Sequence, residues 1–384
     1  MNILVIPTTD WTKHPNPNRL NFIFDRIAEN NTVHIFDFKL KKFEDQPTRK
    51  TKCHLHNATV FNSTDQSLYY FYNAIPQLFK LRKIIKEQNI DIIVSSNILP
   101  SFIINFIHGK VPIVIDYLDH FEESASVYYP KSFFGKIVQT GVRFLVHFNL
   151  KHANSTITIT KEFESFLHSV GVKEVCVIPN GVDMAVFKII PTAEAKKNLG
   201  LADMPIIGYV GALEYWVNLE SVIEALPDLK VTLLIIGPEL FTDYEDRIKD
   251  MAKSFGVEDK IIFTGRVEYS ELYKYICAMD IGLNPLKSVK KNDITVGGKV
   301  FNYMACGKPV LSSRMRALEN LLGDNLFYYD GVSSFKDCAN TILNNSIDAE
   351  KYISVASKFD WNLIAREYES FLKKVIEKNL SNRK

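Results

Sequence analysis

The chain has 384 residues, 46% of them hydrophobic and 23% charged, the balance of a folded protein, and its length suits two domains better than one core. A formal net charge of +2 excludes a global attraction to nucleic acid, so any basic function has to come from local patches. Five scattered cysteines, Cys53, Cys176, Cys277, Cys306 and Cys338, with no C-x-x-C spacing, exclude a disulfide framework or a zinc site and read as a reduced, cytoplasmic pattern.

In chain order, short apolar or β-branched runs at 2–6, 32–38, 58–61, 90–94, 112–115, 155–159 and 175–178 predict strands. The first run has no basic lead-in and reads as a buried strand, not a signal peptide. Helical stretches with mixed polar faces lie between most of them, among them 76–88 and 161–170. Residues 92–107 carry no charge, but Ser95, Ser96, Asn97, Pro100, Ser101 and Asn105 interrupt them. A spanning helix needs about 20 mostly apolar residues, so this segment is expected to split into strand, loop and helix. Residues 131–151 hold Lys131, Lys136, Arg143 and Lys151 with no acid, among Phe133, Phe134, Ile137, Val138, Phe144, Leu145 and Phe148. They read either as a packed helix with a basic face or as a peripheral contact with anionic lipid on the cytoplasmic membrane face.

The polar stretch 191–204 is the expected linker, after which the pattern restarts with strands at 206–210, 231–236, 260–263, 281–283, 309–312 and 326–329. A last helix from Trp361 to about Asn379 shows helical spacing of Leu363, Ile364, Tyr368, Phe371, Leu372, Val375 and Ile376. Such alternation predicts an α/β protein of two doubly wound parallel sheets, with ligands at the carboxyl ends of the strands. The expected boundaries are 1–190, 191–358 and a final helical segment 359–384.

Three segments carry chemistry. Gly298-Lys299-Val300-Phe301-Asn302-Tyr303-Met304-Ala305-Cys306-Gly307-Lys308-Pro309-Val310 reads as a glycine turn, a helix opening on a lysine, and a break into a strand. An ammonium at a helix start is unfavourable unless an anion sits with it, which makes Lys299 a phosphate candidate. Gly208-Tyr209-Val210-Gly211-Ala212-Leu213 is a strand-to-helix turn where backbone must approach a ligand or a neighbouring helix. Pro179-Asn180-Gly181-Val182-Asp183, with Phe187 after it, is the third.

In this order and spacing the segments resemble the retaining, nucleotide-sugar-dependent glycosyltransferases of family 4, in a sub-branch reading K-x-F-x-Y-M-A-x-G-K-P-V, and the resemblance covers nearly the whole chain. It implies a GT-B fold, two Rossmann-like domains facing a central cleft, with the last helix returning to the first domain. A nucleotide-sugar would be co-substrate, with no further cofactor, and a glycan or lipid-linked saccharide the acceptor. No D-x-D sequence is present, so no metal requirement is expected.

The resemblance also assigns residues. Gly211 would admit the diphosphate and Lys299 would neutralise it. Arg266 and Val267, in Phe263-Thr264-Gly265-Arg266-Val267, fall in the base-reading segment. Arg266 suits a base, a ribose or a phosphate, and equally a neighbouring surface carboxylate. Asn302, with Tyr303 beside it, stands where the family carries a ribose-binding glutamate; an amide lacks the carboxylate's charge-assisted strength. Asp293 lies beside the place of a second acid, occupied here by Ile294. Ala212 and Asn218 stand where most members have an arginine and a lysine on the diphosphate.

On the acceptor side Asp119 and His120 are the expected contacts with the transferred sugar, Asp116 being structural. Trp11, Arg19 and Arg26 are weaker candidates for a sugar or phosphate. The departures keep two other readings open: a non-catalytic partner subunit of the same fold, and a nucleotide-sugar epimerase. The Pro-Asn-Gly-Val-Asp and Gly-Lys-Pro-Val segments favour the transferase.

Overall fold

The computed structural model describes residues 1–64, 66–121, 133–239 and 243–383. Among them the chain forms two compact units, Met1–Pro179 with Asn362–Lys384, and Asn180–Trp361.

Unit 1 is built on seven strands: β1 Asn2–Ile6, β2 Thr32–Asp37, β3 His54–Asn57, β4 Ile92–Ser95, β5 Ile113–Asp116, β6 Ser155–Thr158 and β7 Val175–Val177. They run in the order β3-β2-β1-β4-β5-β6-β7, every pair parallel. The order reverses beside β1, the switch point of a doubly wound sheet. Covered on both faces, the central strands can be apolar throughout: Ile3, Leu4, Val5 and Ile6 are all fully buried. The helices are α1 Arg19–Ile27, α2 Gln66–Glu87, α3 Ile98–Ile107, α4 Phe133–His152 and α5 Lys161–Ser169. The uncharged stretch 92–107 thus divides into β4 and α3, as its polar interruptions predict, and no helix among the described residues is long and apolar enough to cross a membrane.

Unit 2 repeats the plan with β8 Ile206–Val210, β9 Thr232–Ile236, β10 Ile261–Gly265, β11 Ile281–Asn284, β12 Val310–Ser313 and β13 Phe327–Tyr329. The parallel order is β10-β9-β8-β11-β12-β13. Its helices are α6 Thr192–Asn198, α7 Leu219–Ala225, α8 Tyr244–Phe255, α9 Leu272–Ala278, α10 Lys290–Ile294, α11 Lys299–Ala305, α12 Arg316–Leu322, α13 Gly331–Asn344 and α14 Ala349–Ser357. The last helix, α15 Trp361–Ser381, packs in unit 1. Its Tyr368 and Leu372 are fully buried, and Asn379 donates to the Lys110 carbonyl at 3.1 Å.

Three local readings change. The strand expected at 58–61 lies at His54–Asn57 instead, paired in parallel with β2 at the sheet edge. The backbone of Val60 and Phe61 is taken up by a side chain: Asn73 accepts from both amides, at 2.8 and 3.0 Å, and donates to the Phe61 carbonyl at 2.7 Å. An edge strand needs little apolar character, so a His-rich run can serve. Helix α2 begins ten residues before the expected start and runs through Pro76. The stretch 191–204 carries α6, whose Lys196 is buried and paired with Asp280 at 2.8 Å.

A buried polar cluster holds α1, β5 and α15 together. Asn18 caps α1 reciprocally with Asn21, which sets Arg19 at the first helical position. Arg19 Nε lies 3.4 Å from Asp116 Oδ2, and a second guanidinium nitrogen donates to the Pro179 carbonyl at 2.5 Å. Tyr368 donates its hydroxyl to the same carboxylate oxygen at 2.9 Å. Burial raises the Asp116 pKa, against the lowering pull of Arg19 and Tyr368. Asp116 is thereby structural, as expected, and Arg19 is spent on it.

Candidate functional site

In unit 2 the chain leaves the carboxyl ends of β8 and β9 through glycines in the left-handed half of backbone space, Gly211 at φ 146° and Gly237 at φ 137°. They touch one another: the Gly211 amide donates to the Ile236 carbonyl and the Gly237 amide to the Gly265 carbonyl, both at 2.9 Å. A Cβ on Gly237 would lie 2.1 Å from the Gly211 oxygen, so only glycine fits. Gly237→Ala is expected to displace the Gly211 loop and lower stability by about 3 kcal/mol or more, read as a drop in the urea midpoint together with lost nucleotide binding.

Helix α11 brings Lys299 to this loop. Its ammonium lies 4.1 Å from the centroid of the Tyr209 ring, and 2.9 Å from where a Cβ on Gly211 would sit. Tyr209 is held rigid beneath it, buried and donating its hydroxyl to the Ala212 carbonyl at 2.8 Å. The lysine side chain keeps a partly exposed flank, yet among the described residues no carboxylate pairs with it. Loss of water around the ammonium pushes its pKa down from 10.5 to about 7. With only seven residues in α11, the charge here belongs to the side chain far more than to the helix.

Asn302 follows at i+3, on the same helical face as Lys299. It is partly exposed, and its side-chain amide makes no hydrogen bond among the described residues. Tyr303 has a different part from the ligand contact expected of it. It is fully buried, accepts from the Val210 amide at 2.7 Å and donates to the Leu283 carbonyl at 3.1 Å. Both hydrogen-bonding capacities of the phenol are used, so it fixes the ends of β8 and β11 under the glycine loop.

The Pro-Asn-Gly-Val-Asp segment meets the same region. Asn180 donates to the Val296 carbonyl at 2.9 Å, and the Gly181 oxygen lies 3.7 Å from where a Cβ on Gly298 would be. Phe187 is buried edge-on to Tyr269, with centroids 5.4 Å apart. Two of the motifs are therefore one piece of structure.

Arg266 and Val267 line a cavity of about 580 Å³ with Ile190, Leu199, Lys274 and Tyr275, and neither Gly211 nor Lys299 borders it. Arg266 pairs with Glu268 at 2.8 Å, the carboxylate-capping alternative. Asp293 accepts from the Arg316 amide at 2.9 Å and pairs with its guanidinium at 3.1 Å. Lys287 pairs with Glu220 at 3.1 Å, and Lys291 lies 3.9 Å from the Trp216 ring centroid.

In unit 1, Asp119 is half-buried, and His120 is 6% exposed with its ring 4.8 Å from that of Phe166. Trp11 is buried, with its indole nitrogen donating to Thr51 at 3.2 Å, and so cannot stack on a sugar. Arg26 donates to Asn362 at 2.8 Å. Lys131 lies outside the described residues, as do the side chains of Phe133 and Phe134.

Sequence reasoning missed Gly237 and Tyr209. The signal for the first was present, since Gly237-Pro238 ends the apolar run of β9 as Gly211 follows that of β8.

The comparisons agree with this geometry. Residues 28–186 match the family described as Glycosyltransferase Family 4, and residues 204–345 match Glycosyl transferases group 1. The alpha-monoglucosyldiacylglycerol synthase of Streptococcus pneumoniae is 26% identical over 70% of this chain and 63% of its own length. A putative teichuronic acid biosynthesis glycosyltransferase of Bacillus subtilis, TuaH, is 23% identical over 51% of this chain and 50% of its own. The chain thus spans between half and under two thirds of these relatives.

Among solved structures, sucrose-phosphate synthase from Thermosynechococcus elongatus superposes with a TM-score of 0.77 at 15% identity, covering 98% of this chain and all of that one. Anabaena HepE, solved with UDP-glucose, gives 0.73 at 19% identity over 97% of this chain and 100% of that one. These likenesses establish the two-sheet GT-B fold. The chain belongs to the family 4, or group 1, glycosyltransferases.

Proposed function

We propose that the protein transfers a sugar, with retention and without a metal ion, from a nucleotide-sugar to a glycan or lipid-linked saccharide. The observation that carries this reading is the Lys299 ammonium, short of water and, among the described residues, of any carboxylate, set close against Gly211, which has no side chain of its own. A diphosphate there would supply the missing counter-charge. HepE has been solved with UDP-glucose, and the synthase from S. pneumoniae is named for a glycolipid product, which supports the donor and acceptor classes.

In the reaction, the bond from the anomeric carbon to the diphosphate oxygen breaks as the acceptor hydroxyl adds from the same face. The acceptor proton passes to the departing diphosphate. Lys299 stabilises the charge that develops on that group, Gly211 lets it approach the backbone, and Asn302 meets the ribose. Asp119 and His120 are assigned to the transferred sugar.

Calorimetric titration with UDP, GDP and their sugars tests the reading, first without metal and then with it. Metal-independent binding of one nucleotide is expected. Asn302→Glu is expected to tighten it about tenfold, since charged hydrogen bonds are about twice as strong as neutral ones. Unchanged affinity in that variant would remove Asn302 from the ribose. No binding of any nucleotide would transfer the reading to a non-catalytic partner subunit.

A further inference from the structure

Helix α2 is amphipathic the wrong way round for a helix that only has to fold. Its inward face buries the amides Asn73 and Gln77 completely, beside Tyr69 and Leu81. Its outward face exposes Phe71 (73%), Ile75 (72%) and Phe79 (65%), with Tyr72 half-exposed beside them. These positions follow helical spacing, so they form one stripe and not a scatter of single exposed residues.

The stripe is extended and built. Asn73 pins the exposed Val60 and Phe61 to this helix through the three hydrogen bonds already described. Beyond Phe79 the same face continues as Arg82, Lys83 and Lys86, all exposed and none in an ion pair among the described residues.

The adjoining helices carry the same character. α3 packs against both α2 and α4. It exposes Phe106, whose ring lies 5.8 Å from Phe148 of α4, and α4 exposes Phe144 and Ile137. Lys136, Arg143 and Lys151 lie along α4 with no acid on that helix, and α3 carries no charge. Within α2 itself the one acid is Glu87, at its end.

We propose that the α2–α3–α4 layer of unit 1 is a docking surface for the anionic face of a lipid bilayer, with the aromatic stripe of α2 seated among the headgroups. A second copy of the chain would set this cationic face against itself, whereas acidic headgroups complement it. Phe, Tyr and Ile above Lys and Arg suit the boundary between acyl chains and headgroups. The inference widens the basic helix at 131–151 into a surface centred on α2. It does not depend on the transfer reaction, because nucleotide binding by unit 2 is a separate readout.

The test is flotation of the full chain with vesicles of phosphatidylcholine alone, and of phosphatidylcholine with phosphatidylglycerol. The protein is expected to float with the anionic vesicles and not with the neutral ones. The double variant Ile75→Glu/Phe79→Glu should lose about tenfold or more of that binding, and Arg82→Glu/Lys83→Glu should lose binding along with its salt sensitivity. Urea midpoints of both variants should match the parent, which shows that unit 1 still folds, and their nucleotide affinity should be unchanged. Failure of the parent to float, equal binding to neutral vesicles, or intact binding by Ile75→Glu/Phe79→Glu would overturn the proposal. So would a dimer that this variant splits while the parent ignores vesicles.

Discussion

Replacing Lys299 by methionine is expected to make the ligand-free protein more resistant to urea near neutral pH while weakening nucleotide binding about 100-fold or more. Both effects have one cause. The fold takes water from this ammonium and lowers its pKa from 10.5 to about 7. Charging it in the folded state is therefore unfavourable, on the order of 2 kcal/mol after allowance for its partly exposed flank. Between these two values the unfolded chain binds more protons than the folded one, so stability rises with pH there. The cost is fully present below about 7 and has gone above about 10.5. Methionine removes it, so the variant's advantage should be largest at pH 6 to 7 and fade towards pH 10. Urea midpoints across that range give the result. A variant less stable than its parent at every pH would mean that the ammonium supports the fold.

Arg19→Met is expected to cost about 3–5 kcal/mol, because it leaves the Asp116 carboxylate buried without its cation. Asp116 Oδ1 has no hydrogen bond among the described residues, and Tyr368 would be the remaining donor to Oδ2. Burial already raises the Asp116 pKa, and losing the guanidinium raises it further. A carboxyl with a raised folded-state pKa contributes most while protonated and loses that contribution as pH rises through the raised value. The damage should accordingly be smaller at pH 4 than at pH 7. Adding Asp116→Asn should recover part of the loss at neutral pH, as removing a stranded charge does. Denaturation of the four proteins of this cycle at both pH values decides it. Equal losses at the two pH values would show that Asp116 is neutral in the parent.

The fold was legible because central strands such as β1, β4, β5 and β9 are largely apolar runs between helical stretches. It failed at the sheet edge, where His54–Asn57 is half solvated and hydropathy carries no signal. It failed again at 66–75, where Leu68, Phe71, Tyr72 and Ile75 point outwards in a pattern that periodicity alone cannot orient. In the site, Lys299 and Gly211 could be paired because a lone cation and a strand-end glycine each ask for a reason. Tyr303 and Arg266 could not be placed the same way. A motif says which residues travel together, not which of them is turned inward, and Tyr303 is the buried support of the residues beside it.

Entry to and exit from unit 2 are strapped together. Val182 forms a parallel bridge with Asp360, its amide donating to the Phe359 carbonyl and its own carbonyl accepting from the Trp361 amide, both at 3.0 Å. Unit 2 is therefore continuous in sequence with adjoining ends, whereas unit 1 is assembled from both ends of the chain. On a ribosome the two halves finish in the reverse of the order in which they begin. Unit 2 has all its residues once Trp361 emerges, but Asp116 must wait 252 residues for the hydroxyl of Tyr368. Until α15 is made, the first half holds a buried acid without that donor and an uncovered apolar groove where Tyr368 and Leu372 will lie. The half that is begun first is the one that closes last.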